Sequence, residues 1–201
     1  MEDDAELTGV ELSGDFTGTI ASHVELTDCH MAGAQFTGAQ LVSLRATDCL
    51  FEDCDLSGVL LRRASLLRVV LRGCRMSGVT LDNARLKDVA VLDGKLDAAN
   101  LRMATGERVE FSRCLLRDAD FYRATLRPGV RFYDCDLTGA EFSKADLRGA
   151  RLHGSVLDGL KGAGSLAGAV IDANQAIPLG LLLVGALGVT VNDDRDDRDP
   201  G

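Results

Sequence analysis

Ala140-Glu141-Phe142-Ser143-Lys144, Ala145-Asp146-Leu147-Arg148-Gly149 and Ala150-Arg151-Leu152-His153-Gly154 are three successive five-residue units, each a small residue, a charged residue and a large apolar centre followed by two polar or glycine positions. The same register extends outward in both directions. Toward the C-terminus it reaches Leu157, and toward the N-terminus it passes Leu137 and Phe132 to an extra residue at Pro128-Gly129. Beyond that insertion it runs in unbroken fives from Leu126 back to Phe16, and Leu7 and Leu12 continue it one residue out of step. In all it supplies 31 units, and every phenylalanine, Phe16, Phe36, Phe51, Phe111, Phe121, Phe132 and Phe142, is a centre.

Two residues before the centres stands a second small or apolar set, which includes all six cysteines, Cys29, Cys49, Cys54, Cys74, Cys114 and Cys135, among alanines and valines. Side chains two apart on an extended backbone point to the same side. Each unit therefore reads as a very short strand with two inward side chains, whereas a helix would need apolar spacings of three and four. Glycine two places after the centre, as at Gly38 and Gly139, suits a tight corner that needs positive φ. A chain that turns every five residues is a solenoid.

The cysteines count its sides. Like residues in neighbouring coils should stack, and Cys29 to Cys49 and Cys54 to Cys74 are each 20 apart, as is Cys114 to Cys135 once the inserted residue is removed. Four units per coil fit this and three do not. The chain then makes about eight coils, a rod on the order of 37 Å long at the strand spacing of ~4.8 Å.

The segments Ala119-Asp120-Phe121, Cys135-Asp136-Leu137, Ala145-Asp146-Leu147-Arg148-Gly149 and Ala150-Arg151-Leu152 resemble the A(D/N)LxX motif of the pentapeptide-repeat family. The resemblance covers roughly residues 5 to 172. It implies an all-β fold, a right-handed quadrilateral parallel β-helix, with a short C-terminal capping and dimerisation helix. The layout is most similar to the MfpA and Qnr groups, whose dimeric rods imitate the shape and charge of B-DNA, bind DNA gyrase and counter quinolones.

Three segments are expected: the β-helix over 1–171, a helix and terminal strand over 172–191, and a disordered acidic tail over 192–201. Asp172 reads as the N-cap of the helix, with Gln175 three residues on as the return arm of a capping box, and Gly188 as the stop before Val189-Thr190-Val191. The helix is apolar on nearly every side, although one lying on a coil end should show a polar stripe. Homodimerisation through Pro178, Leu179, Leu181, Leu182, Leu183, Val184 and Leu187 is expected, with a monomeric cap bearing an exposed apolar patch as the alternative. A membrane span is disfavoured, because the apolar run 176–191 falls short of the ~20 residues such a helix needs.

Nothing in the sequence carries catalysis. The cysteines form no CxxC pair and read as buried thiols rather than disulfides or metal ligands. His23, His30 and His153 occupy outward, solvated positions of separate units, and no phosphate loop or zinc spacing occurs. No cofactor and no metal are expected, and the chain is read as a binding protein, not an enzyme. The acidic start, Met1-Glu2-Asp3-Asp4, is unlike a signal peptide, so a cytoplasmic location is expected.

Function must then lie on the outer surface. The net charge of −9 is unevenly spread: residues 1–58 carry twelve acids and one base, while residues 59–80 carry five arginines and no acid. The acidic end, with Glu11, Asp15, Glu25, Asp28, Asp48, Glu52, Asp53 and Asp55, could occupy a cationic DNA groove, or could simply keep the rod soluble. The basic stretch Arg62, Arg63, Arg68, Arg72 and Arg75 lacks outward aromatics for stacking bases, which favours pairing with neighbouring coils over nucleic-acid contact. Gly106 stands where Leu is expected, and the one-residue insertion is no more than a kink. The leading expectation is a DNA-mimicking partner of DNA gyrase or topoisomerase IV, with no direct nucleic-acid or membrane contact. The alternative is a scaffold rod with an unrelated protein partner.

Overall fold

The structure, a computed structural model, describes residues 2–189. Its backbone is a four-walled parallel β-solenoid. On the first wall Glu6, Glu25, Arg45, Ser65, Arg85, Thr105, Thr125 and Asp146 stack in register, eight positions deep. The second wall begins at Glu11 and stacks through His30, Leu50, Val70, Ala90, Glu110 and Arg131. The third begins at Asp15 and the fourth at Ile20. The inserted residue lengthens one coil, so that Thr125 meets Asp146 and Glu110 meets Arg131, and the ladder continues without a break. The four expected walls are found.

Hydrogen bonds join each coil to the next in both directions: Phe36 N–H donates to Asp55 O at 2.7 Å, and Asp55 N–H donates back to Ala34 O at 2.9 Å. Such pairing satisfies the backbone without any helix. At the corners the residue two after each centre takes positive φ, glycine at Gly38 (φ 66) but Asp48 (φ 55) and Arg68 (φ 52) elsewhere. Non-glycine residues pay a conformational cost there. At two corner glycines the aspartate one coil earlier leans over the open site: a Cβ on Gly154 would lie 2.0 Å from Asp134 Oδ1, and one on Gly139 2.5 Å from Asp118 Oδ1.

The inward side chains form one continuous core. Phe111 and Phe132 stack with centroids 5.1 Å apart, Phe121 and Phe142 at 4.7 Å, and the two pairs meet edge to face, Phe121 to Phe132 at 5.7 Å. All six cysteines are buried free thiols. Cys54 Sγ donates to Met31 O at 3.4 Å and Cys114 Sγ to Val91 O at 3.3 Å, so each thiol fits the small slot and also serves a carbonyl of the coil above. Gly106 is buried opposite Leu126, whose Cδ2 lies 2.9 Å from where a Cβ would sit. Its neighbour's leucine has taken the space a side chain would need.

The C-terminal end closes differently. A 3-10 turn spans Ala163–Leu166, a second spans Ala173–Gln175, and helix α1 runs Ala176–Ala186. Gln175 is buried: its Nε2 donates to Leu152 O (2.7 Å) and Ser155 O (2.5 Å), and its Oε1 accepts from Asp172 N–H at 2.7 Å. The expected return arm of the capping box is thus present, while Asp172 Oδ2 also accepts from Gly154 N–H at 2.5 Å. Gly188 (φ 70) ends the helix as expected. The expected terminal strand and tail fall on residues outside those described, apart from Val189.

Candidate interaction surface

Outward side chains stand in vertical columns one coil, ~4.8 Å, apart. Stepping by one coil brings Asp48 beside Arg68, whose guanidinium grips it through two bonds of 2.5 and 2.6 Å. The same step pairs Arg45 with Glu25 (2.5 Å), Arg72 with Glu52 (2.7 Å), Arg75 with Asp55 (3.0 Å) and Arg62 with Asp82 (3.5 Å). Further along, Arg108 pairs with Asp88 (2.5 Å), Arg113 with Asp93 (2.7 Å) and Arg117 with Asp97 (2.6 Å). The Arg68 guanidinium holds the Asp48 carboxyl below its ordinary range, and Arg108 and Arg113 do the same for Asp88 and Asp93. Of the expected basic stretch, only Arg63 enters no ion pair among the described residues.

The eight acids singled out in the sequence therefore do not form one surface. Glu25, Asp48, Glu52 and Asp55 are neutralised by arginines, whereas Glu11, Asp15, Asp28 and Asp53 enter no ion pair among the described residues. They are also scattered. Glu25 lies on the first wall, Glu11 and Glu52 on the second, Asp15 and Asp55 on the third, and Asp28, Asp48 and Asp53 at corners.

A different acidic surface emerges along the third wall and its two corners. Asp15 and Asp53 continue there through Asp118, Asp134 and Asp158, none of them in an ion pair among the described residues. They do not share one phase: Asp15 and Asp158 stand on the wall itself, Asp53 and Asp134 at its corner with the second wall and Asp118 at its corner with the fourth, and Arg75, Lys95 and Arg117 lie on the same wall. Linear order hides the grouping, which appears only once four units per coil assign each residue to a wall.

The histidines are less independent of their surroundings than expected. His30 Nε2 lies 3.0 Å from Glu52 Oε2 and both are half-buried, His23 lies 3.7 Å from Asp4, and His153 lies 4.0 Å from Asp172. No group of three or more His, Cys, Asp or Glu able to hold a metal occurs among the described residues.

At the C-terminal end α1 has one face on the tube, through Leu179 and Leu182. Leu181 (65% exposed), Leu187 (78%) and Leu183 point away, joined by Ile177, which was not among the residues expected at the dimer contact. Pro178 and Val184 are half-buried. No helix among the described residues is long and apolar enough to cross a membrane.

The family described as pentapeptide repeat region matches residues 44–121, and the one described as pentapeptide repeats (8 copies) matches 15–43 and 128–159. HetL, a pentapeptide repeat protein involved in heterocyst differentiation regulation from the cyanobacterium Nostoc sp. strain PCC 7120, has a solved structure 21% identical in sequence. It covers 84% of this chain and 87% of its own length with a TM-score of 0.52. A structure of QnrB1, a plasmid-mediated fluoroquinolone resistance protein, is 25% identical over 95% of this chain and 99% of its own, with a TM-score of 0.39. A pentapeptide repeat protein from the Arabidopsis thaliana thylakoid lumen is 23% identical over 70% of each chain, with a TM-score of 0.38. No curated protein matches the sequence.

Proposed function

This chain belongs to the pentapeptide-repeat family, and from that premise we propose that it is a binding protein that offers the third wall to the cationic DNA-binding surface of a type II topoisomerase, DNA gyrase foremost. The supporting observation is that Asp15, Asp53, Asp118, Asp134 and Asp158, in no ion pair among the described residues, all lie on the third wall or its corners. Charges at fixed height on a rigid scaffold can meet a surface built for regularly spaced phosphates, with the potential mainly setting encounter rate and orientation. The paired acids add little, since their arginines already screen them.

Two rods joined through the outward face of α1 would double the length of that wall. Ile177, Leu181 and Leu187 supply the contact, because an exposed apolar patch of this kind marks an interface. In this reading the protein works in the cytoplasm as a homodimer, without cofactor, and either inhibits the enzyme or protects it from quinolone-type poisons.

The scaffold reading draws on the ion-pair ladder, which neutralises much of the surface and would suit a partner without a DNA groove. A supercoiling assay with DNA gyrase, with and without ciprofloxacin, separates the two. The native rod at micromolar concentration is expected to change supercoiling, D53N/D118N/D134N/D158N to lose the effect, and D48N, whose acid is already paired, to keep it. Leu181→Asp with Leu187→Asp should halve the mass by light scattering and weaken the effect. No response to the native rod would leave the scaffold.

A further inference from the structure

Seven lysines and arginines, Arg63, Arg85, Lys95, Arg123, Lys144, Arg151 and Lys161, enter no ion pair among the described residues, and two of them, Arg123 and Lys144, stand at successive coils of the corner between the fourth and first walls. There the column holds Met103, Arg123 and Lys144 at successive coils, all at positive φ. Arg123 thus has an apolar neighbour above it and a second cation below. Neither Arg123 nor Lys144 enters an ion pair among the described residues. Both crowd the same ring: Tyr122 has the Arg102 guanidinium 4.3 Å from its centroid, the Arg123 guanidinium at 5.3 Å and Lys144 Nζ at 5.6 Å. Only Arg102 has a counter-charge, Asp120 at 2.8 Å. The aromatic quadrupole offsets part of the repulsion.

Two unpaired cations beside a third that already holds Asp120, on a rod of net charge −9 whose other arginines are mostly matched, mark a position set aside for an external anion. The neighbours say what kind. Met103 is 43% exposed beside the cations, and Tyr, Arg and Met together are the residues enriched in the anchoring centres of protein interfaces. Nucleic acid suits the place poorly, because Arg102 lies over the Tyr122 ring that a base would need and the rest of the rod repels phosphates.

We propose that this corner docks an acidic, extended segment of a partner protein, with its carboxylates on Arg123 and Lys144 and an apolar side chain against Met103. The site is separate from the third wall, so it stands or falls independently of the topoisomerase reading.

Fluorescence anisotropy at low salt, with the full chain and a short fluorescein-labelled peptide of glutamates around one leucine, tests it. Binding is expected, weakening as salt rises, about tenfold lost in R123E/K144E, partly lost in M103S, and unchanged in D53N/D134N on the far side. A glutamine version of the peptide should not bind. Three outcomes overturn the proposal: equal binding by R123E/K144E, equal binding of the glutamine peptide, or a DNA duplex that binds as tightly as the acidic peptide. Tighter peptide binding by a chain ending at Val191 also overturns it, by giving the site to the protein's own tail.

Discussion

The coils around Phe121 and Phe132 and the helix Ala176–Ala186 are both rich in large apolar side chains, yet one region hides them and the other displays them. Phe121 and Phe132 are fully buried, stacked on Phe142 and Phe111 respectively and meeting each other edge to face. In α1 no residue is buried, and Ile177 and, just past the helix end, Leu187 are exposed at 77% and 78%. A coil in the middle has a neighbour on each side that repeats its own shape, so inward side chains always find a complement. The last coil has none, and the helix that covers it meets the tube along a single stripe. Stability should accordingly be concentrated in the middle, and association at the end.

The largest expected effect tests the first half. Phe132→Ala removes a ring held by Phe111, Phe121 and Phe142 from a wall that cannot collapse without disturbing the ladder. A loss of about 3–5 kcal/mol follows, a fall in Tm of roughly 6 to 20 °C by calorimetry. Leu181→Ala in α1 should shift the tube's stability by no more than about 0.5 kcal/mol. Equal losses from the two variants would abolish the contrast.

An intermediate effect is expected at the junction. Gln175→Ala leaves the carbonyls of Leu152 and Ser155 without their buried donor and frees Asp172 N–H, at a cost of about 1–3 kcal/mol. That loss is local. Amide hydrogen exchange should quicken across 173–186 and the last coil, while the Arg85–Leu92 and Thr105–Ser112 strands stay as slow as before. Uniform quickening would mean that cap and tube unfold as one unit.

The same contrast explains what could be read from the sequence. In the tube every inward residue repeats a local rule, so Leu, Phe, Cys and the corner glycines announce their places, and four walls follow from where the cysteines recur. The partners of outward charges do not announce themselves, because Asp48 and Arg68 become neighbours only after the coil length is known and applied. Composition by blocks therefore showed an acidic end and a basic middle where the structure has acid–arginine pairs joined coil to coil and a few unpaired acids on the third wall and its corners. The cap has no repeat to lean on. Asp172 and Gln175 were legible as a capping box, which is a local motif, but which face of an all-apolar helix meets the tube depends on the shape of the last coil, and Leu179 and Leu182 could not be told from Leu181 and Leu187.

The smallest effect concerns pH, and it should touch the middle alone, since α1 carries no ionisable side chain. Asp48, Asp88 and Asp93 are held below the ordinary aspartate value of 3.8 by Arg68, Arg108 and Arg113. A carboxyl that is more acidic in the folded state binds fewer protons there than in the unfolded chain, so its contribution is complete above the unfolded value and disappears as pH falls through the folded one. The Tm of the tube should thus be level from neutral pH to about 5 and decline below about 4. These pairs are exposed, and water and salt weaken them, so each contributes little and the decline should be shallower at high ionic strength. D48N/D88N/D93N should flatten the acid side of the curve. A triple variant with an unchanged acid slope would show that the ladder fixes where side chains lie without holding the coils together, and that the stacked rings of the core do that by themselves.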